Sequence, residues 1–297
     1  MALRTLHSNL PEELQAGLVQ AIETTGFEEE AAWDGLFICK SCDHVSVAWA
    51  QLLPGRSAAL WPPAADVPTA RQLLQEVGRF LDQHEVVVTQ LLLGMPQENA
   101  DNPHQALIQL LITGGYSWLA NLQYLVANNL SSPPTPPILP IEFESHAADQ
   151  PQRLSQLIEQ TYIGTCDCPA IDGIRSLPDV LASYQSAGSY QQELWYFVQH
   201  QGLDMGALLL SPHGNGEVWE LVYMGIVPAA RGRGFGGHII QKALWQTARG
   251  GGQRMVLAVD ESNEPALSMY HRANLVSWDR RQVYARIRAG KPLPSRQ

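Results

Sequence analysis

The sequence predicts an α/β protein made of two domains that share one order of elements. Three observations predict it. Strand-like and helix-like runs alternate from Leu36 to Ile287 of the 297 residues. A proline-dense stretch, Ser131 to Pro140, interrupts them near the middle. The order of runs after that stretch repeats the order before it.

Before the stretch, Leu36 to Ile38, Val45 to Leu53 and Ser57 to Leu60 are strand-like. Leu73, Leu74, Val77, Phe80 and Leu81 recur at helical spacing and predict an amphipathic helix. Val86 to Leu92 is a continuous apolar strand. Gln105 to Ile112 is a short helix stopped by Gly114-Gly115-Tyr116, and Trp118 to Leu125 a further strand. Proline at this density neither continues a helix nor sits in a central strand, so 131–140 reads as a stiff linker. Beyond it, Ile141 to Ser145 is strand-like, and Pro151 to Tyr162 and Ser176 to Ala187 are helix-like. Leu194 to Val198, Met205 to Leu210 and Val218 to Val227 read as three strands, with a turn signal at His213-Gly214-Asn215-Gly216. A helix from His238 to Arg249, a strand from Arg254 to Val259, a helix after Asn263 and two closing strands reach Ile287. The expected domains are 1–130 and 141–297, joined by 131–140.

The most informative stretch is Val227-Pro228-Ala229-Ala230-Arg231-Gly232-Arg233-Gly234-Phe235-Gly236-Gly237. It joins a strand to a helix, and its glycines leave backbone amides open to a ligand. The helix start contributes partial positive charge and Arg231 and Arg233 full charges, a combination suited to phosphate. Two cofactor classes fit. Gly232, Gly234 and Gly237 match G-x-G-x-x-G, and Asp260 ends the next strand about 20 residues on, where a dinucleotide ribose would need an acid. That frame makes the chain a dinucleotide-dependent oxidoreductase. Against it, Pro228 to Arg231 separates strand from first glycine, and too little chain follows for a dinucleotide domain.

The other frame is Arg231-x-x-Gly234-x-Gly236 after a strand ending in Val-Pro. It resembles the pyrophosphate loop, Q/R-x-x-G-x-G/A, of the GNAT acetyltransferase superfamily, which binds acetyl-CoA. The resemblance runs on through Ile239 to Arg249, Arg254 to Val259 and Asn263-Glu264-Pro265-Ala266-Leu267-Ser268-Met269-Tyr270. The family usually shows N-x-x-A-x-x-x-Y and then a G-F pair. Here the pair is Asn274-Leu275, and Asn is the residue besides glycine that best tolerates the left-handed turn closing a helix.

The resemblance implies a mixed, mostly antiparallel sheet flanked by helices in each domain, and N-acetylation of a primary amine by direct attack on the thioester. It implies that the amides of Ile226 and Val227 polarise the thioester carbonyl. The pyrophosphate would rest on Arg231, Gly232, Arg233, Gly234, Phe235, Gly236 and Gly237, with Asn263 close by. Tyr270 matches the tyrosine that protonates the departing thiolate. Glu220 stands where several members carry a catalytic glutamate, and alternation along the strand puts it on one face with Val222 and Met224. His213, His238 or ordered water could take that proton instead. A non-catalytic acetyl-CoA-binding regulator would need the same loop.

The first half lacks the loop. Pro62-Pro63-Ala64-Ala65-Asp66-Val67-Pro68 has neither glycine nor base, and Leu111 stands where Tyr270 does, four residues before Gly115-Tyr116. It reads as a degenerate copy that holds no coenzyme.

Composition bounds the rest. A formal net charge of −10 is unevenly spread: residues 231–297 hold 12 Lys and Arg against 4 Asp and Glu. The basic end suits a multiply phosphorylated ligand, and the acidic remainder argues against nucleic acid and for a small, cationic amine. No apolar run reaches the ~20 residues that span a bilayer, and the first residues lack a signal peptide's apolar core, so no membrane association and a cytoplasmic location are expected. Cys39-x-x-Cys42 and Cys166-x-Cys168 read as reduced thiols, the first pair in a hairpin turn, and no metal is expected. The oligomeric state is open.

Overall fold

The structure, a computed structural model, describes residues 1–26, 33–40, 44–96, 102–131, 136–146 and 150–288. The chain forms two compact units. Unit 1 comprises Met1–Ala120, Gly173–Arg175 and Arg281–Gln297, and unit 2 comprises Asn121–Asp172 and Ser176–Arg280.

Unit 1 begins with two helices, α1 (Ala2–Asn9) and α2 (Glu12–Thr25). Leu6 of α1, Leu10 between the helices and Leu14 and Leu18 of α2 are all buried, the last two one helical turn apart on one face. Strands β1 (Leu36–Lys40), β2 (Val45–Leu53) and β3 (Ser57–Trp61) follow, then α3 (Ala70–Gln83), β4 (Val88–Gly94), α4 (Gln105–Thr113) and the start of β5 (Ser117–Ala127). β2 pairs antiparallel with both β1 and β3. β3 pairs parallel with β4 over three rungs only, Ser57–Ala59 against Val88–Gln90. The apolar face of α3, Leu73, Leu74, Val77, Phe80 and Leu81, lies in the core with Trp49 and Leu60.

Unit 2 carries residues 121–127 of β5, then β6 (Glu142–Ser145), α5 (Pro151–Tyr162), α6 (Leu177–Gln185), β7 (Trp195–His200), β8 (Leu203–His213), β9 (Val218–Ile226), α7 (Phe235–Arg249), β10 (Arg254–Asp260) and α8 (Glu264–Arg272). Its strands run β5-β10-β9-β8-β7-β6. β6 to β9 are antiparallel in turn. β9 and β10 are parallel over Val218–Glu220 and Arg254–Val256, again three rungs. Alternation on β8 feeds two cores. Leu208 and Leu210 pack with Ile239 and Ile240 of α7. Ala207 and Leu209 pack with Leu154, Leu157 and Ile158 of α5. Arg153 ties α5 to the strands, its guanidinium bonded to Glu144 and Asp204 and lying 3.9 Å from the centre of the Phe197 ring.

The two halves repeat each other in detail. Both run helix, helix, three strands, helix, strand, helix, strand, and both close their last helix identically. Gly115 has φ 85° and Asn274 φ 61°. After each, an amide returns to the helix: Tyr116 N to Leu111 O at 3.0 Å and Leu275 N to Tyr270 O at 3.1 Å. Asn274 does fill the left-handed position usually held by glycine.

A division at 131–140 would leave each half its own strands, whereas the units exchange one. The last strand, β11 (Val276–Ile287), enters unit 1, where Arg281–Ile287 pair antiparallel with Gly94–Val88 of β4. Residues 122–127 of β5, from the first half, pair antiparallel with β10 in unit 2. Both exchanged strands continue an antiparallel partner from the equivalent position of the other half.

Several sequence expectations need correction. The chain from Val276 to Ile287 is one strand, not two; it contains neither glycine nor proline to break it. α7 begins at Phe235, so Gly236 and Gly237 lie in its first turn. Cys39 sits within β1, not in a turn, while Cys42 lies outside the described residues. Of the proline stretch, 132–135 also lie outside them. The rest has no regular structure, and Ile138 is fully exposed. Among the described residues no helix is long and apolar enough to cross a membrane, and no group of His, Cys, Asp and Glu could hold a metal.

Candidate functional site

Beyond Glu220 and Val256 the parallel pairing of β9 with β10 ends, and the facing edge of β9 is open. Two features set that edge. The β8–β9 register shifts so that Leu209 faces Tyr223 while Leu210 faces Leu221; Val222 is the extra residue of a β-bulge, which bends the strand. Past the bulge, the Val227 amide donates to the Met205 carbonyl at 2.9 Å. In an antiparallel ladder such bonded pairs alternate, so the amides of Met224 and Ile226 turn away from β8 toward the open side. Val227 is therefore corrected: its amide is engaged, and Met224 takes its place beside Ile226.

The bulge also corrects the face of Glu220. Val222 and Tyr223 pack in the α5 cluster, whereas Met224 packs in the α7 cluster. Glu220 consequently does not share a face with Met224. Its carboxylate accepts from His213 Nε2 at 2.8 Å, with each side chain about a third exposed. That bond raises the pKa of His213, against the opposing effect of desolvation. His238 is in the first turn of α7, away from this pair in the chain.

The glycine loop has the geometry its composition predicts at two positions. Gly232 and Gly234 have φ 73° and 81°, and Gly234 is the residue from which α7 starts, with no side-chain cap. Among the described residues the amides of Arg233, Gly234, Phe235 and Gly236 donate to no other group. Gly237 is corrected: its amide reaches back to Gly234 O at 3.2 Å. Gly236 leaves room for the Met269 side chain of α8, which an added Cβ would strike. Arg233 is exposed, with its guanidinium 4.9 Å from the Phe235 ring centre.

Arg231 does something other than grip phosphate. Its Nε donates to Ile226 O at 2.9 Å, one terminal nitrogen to Gly164 O at 2.9 Å and the other to Thr161 O at 2.7 Å. A planar fork with fixed donors suits this task. It fastens the end of β9 to the end of α5 and to the segment that follows.

That segment crosses to the other strand of the split. Asp167 Oδ1 accepts the Asp260 amide at 2.9 Å, and Asp260 Oδ2 accepts the Cys168 amide at 3.1 Å. Cys168 takes a left-handed conformation, φ 43°, to turn there. Asn263 caps α8 through Ala266 N and also hydrogen-bonds Asp167. Asp260 is buried, its other oxygen held by Ser262. It is not available to a ribose, and β9 lies antiparallel to β8, so the dinucleotide frame does not fit. Burial and the two carboxylates hold the Cys168 thiol protonated, far above its ordinary range.

Tyr270 faces the same region. It is 6% exposed, and among the described residues its hydroxyl has no hydrogen-bond partner. Burial first, and the charge of Asp167 second, push its pKa well up. Thr161, Tyr162, Asp167, Tyr184, Tyr223 and Gly225 join this neighbourhood unforeseen. They are scattered over more than sixty positions of sequence with no motif to connect them.

The Arg231 fork yields a prediction. Arg231→Lys keeps the charge but cannot serve three carbonyls, so urea unfolding should show a loss of about 1–2 kcal/mol, and Arg231→Gln a similar one. Wild-type stability in the lysine variant would show that charge alone suffices.

Comparison with known proteins falls on this same region. Residues 160–274 match the acetyltransferase (GNAT) family. None of the curated proteins compared matches the chain. Among solved structures, a GCN5-related N-acetyltransferase from Sphaerobacter thermophilus is similar with TM-score 0.63 and 15% identity, over 98% of this chain and 91% of its own. One from Kribbella flavida gives 0.50 and 14%, over 96% and 95%. A tandem GNAT protein from the clavulanic acid biosynthesis pathway gives 0.50 and 13%, over 88% and 86%. At such identities the likeness is one of fold. The split strands, the glycine-turned start of α7 and the match to the acetyltransferase (GNAT) family coincide in one stretch, residues 160–274.

Proposed function

We propose that the chain is an acetyl-CoA-dependent N-acetyltransferase that transfers the acetyl group to a primary amine of a small molecule. The observation that carries this is the open edge of β9, with the amides of Met224 and Ile226 turned outward, leading directly to the unengaged amides at the start of α7. Four amides on a helix N-terminus favour a pyrophosphate, and Arg233 adds a full charge. An extended pantetheine arm can pair with a strand edge as another strand would. Outward amides on that edge favour the negative charge that develops on a thioester oxygen under attack. Resemblance in fold to proteins named N-acetyltransferases supports the same reading.

In this reading the amine attacks the thioester carbon, a C–N bond forms, and the C–S bond breaks. Tyr270 gives its proton to the leaving thiolate; burial keeps the phenol protonated and ready as a donor. The His213–Glu220 pair takes the amine proton. Glu220 stands four residues from Met224 along β9, roughly 13 Å at strand spacing, so the proton travels through water. Unit 1 holds no coenzyme. Its loop offers no glycine, and α2 lies over the equivalent split, with Gly17 against Trp61 and Glu13 beside Gly94. Glu13 is fixed there by His104 at 2.8 Å.

Three outcomes check this. Tyr270→Phe should lower kcat by ~10²-fold or more while CoA affinity holds; an unchanged kcat removes Tyr270 from the chemistry. If the His213–Glu220 pair is the base, Glu220→Gln should move the acidic limb of the pH–rate profile to lower pH, because the bond that raises the pKa of His213 is weakened. A profile that stays in place moves the role elsewhere. Calorimetric titration with acetyl-CoA should give one site per chain, abolished by Gly234→Val, since valine cannot hold φ 81° without strain. Two sites, or binding that survives the substitution, would assign coenzyme to unit 1.

A further inference from the structure

Resting on the acetyl-transfer reading, we propose that Asp167, with the phenols of Tyr184 and Tyr223, forms the acceptor subsite and holds the substrate amine as its ammonium ion. The parts converge from three places in the chain. Thr161 and Tyr162 end α5, Tyr184 comes from α6, and Tyr223 follows the bulge of β9. Tyr162 and Tyr184 share a hydrogen bond between their hydroxyls at 2.6 Å, and Thr161 Oγ1 lies 2.7 Å from the Tyr223 hydroxyl. The rings of Tyr184 and Tyr223 stack at 5.2 Å, and Tyr162 meets Tyr223 edge-on at 5.7 Å.

Gly225 brings this cluster to the chemistry. A Cβ built there would come within 2.5 Å of the Tyr223 hydroxyl and 2.7 Å of Thr161 Oγ1. Only glycine lets those oxygens stand against the β9 backbone, between the two residues whose amides face the open edge. Asp167 is placed across the split by its bonds to Asp260 N and Asn263. It keeps exposed surface although protein surrounds it on most sides. Burial is the main cause that raises the pKa values of Tyr184, Tyr223 and Tyr270, and the charge of Asp167 reaches all three and adds to it.

Charge balance then selects the ligand. Phenol and hydroxyl oxygens come together here with the exposed carboxylate of Asp167 and the buried one of Asp260. The neighbouring cation, Arg231, already donates to three carbonyls. Independently, Tyr270 is buried as a residue while its hydroxyl, without a hydrogen-bond partner among the described residues, keeps accessible surface. Such a space rejects phosphate and carboxylate and favours a group with three N–H donors and a positive charge. An ammonium beside aromatic faces and a carboxylate meets each of those demands.

The test separates amine recognition from acetyl transfer. Butylammonium and uncharged 1-butanol, of equal chain length, are titrated into the whole protein and followed by tyrosine ring resonances. Wild type should bind butylammonium and not butanol. Asp167→Asn should weaken that binding at least about tenfold. Tyr184→Phe should weaken it as well, and Asp172→Asn, an exposed carboxylate nearby in sequence, should leave it unchanged. Thermal melts establish that each variant is folded; if Asp167→Asn is not, the Tyr184 variant decides. Equal binding of butanol, wild-type affinity in the variants, or no binding of butylammonium overturns the subsite. Binding as expected, with no acetyl-CoA turnover on any amine, upholds the subsite and defeats the transfer reading.

Discussion

Three rungs of parallel pairing hold β9 to β10, and the site proposed for unit 2 lies where a fourth is missing. Separating two strands leaves a row of unmatched backbone groups, normally a liability. Here the separation is enforced from both sides. The bulge at Val222 bends β9, and the Arg231 fork pins its end to α5. On the other side, Asp260 is tied to the Asp167–Cys168 segment. None of these contacts is with a ligand. Together they keep an edge open that would otherwise close.

Unit 1 keeps the same frame without the features proposed to bind coenzyme. β3 and β4 also pair over three rungs, and Gly115 closes α4 as Asn274 closes α8. The apolar architecture is retained: Leu111, at the place of Tyr270, is wholly buried. What differs is the loop after the third strand, where Pro62 to Pro68 replaces glycines and arginines, and the helix laid over the split. The packing scaffold and the proposed site thus rest on separate sets of residues, and unit 1 has only the first.

Much of this was legible in the sequence because it is local. Strand and helix runs follow from periodicity, and the left-handed need for Gly234 and Asn274 follows from backbone sterics. The paired leucines of α1 and α2 were equally legible, yet no turn or cap signal drew attention to them. The corrections share one cause: hydrogen-bond partners distant in sequence. Arg231 has the composition of a phosphate ligand, and only the carbonyls of Thr161 and Gly164, nearly seventy residues away, redirect it. Val222 looks like any strand valine until the register on β8 makes it the bulge that moves Glu220 to another face. Tyr162, Tyr184 and Tyr223 are ordinary aromatics until folding stacks them.

The exchanged strands carry a consequence for how the molecule is made. Synthesis proceeds from the N-terminus, and most domains can close as soon as their own residues have emerged. Unit 1 cannot. The free edge of β4 waits for Arg281–Ile287, which leave the ribosome nearly two hundred residues after it. Throughout elongation the first half therefore exposes an unpaired strand that any other edge could occupy. Long sequence separation makes that pairing slow, so the nascent chain stays aggregation-prone until that segment has emerged, and removing Arg281–Ile287 would injure the half of the protein made first.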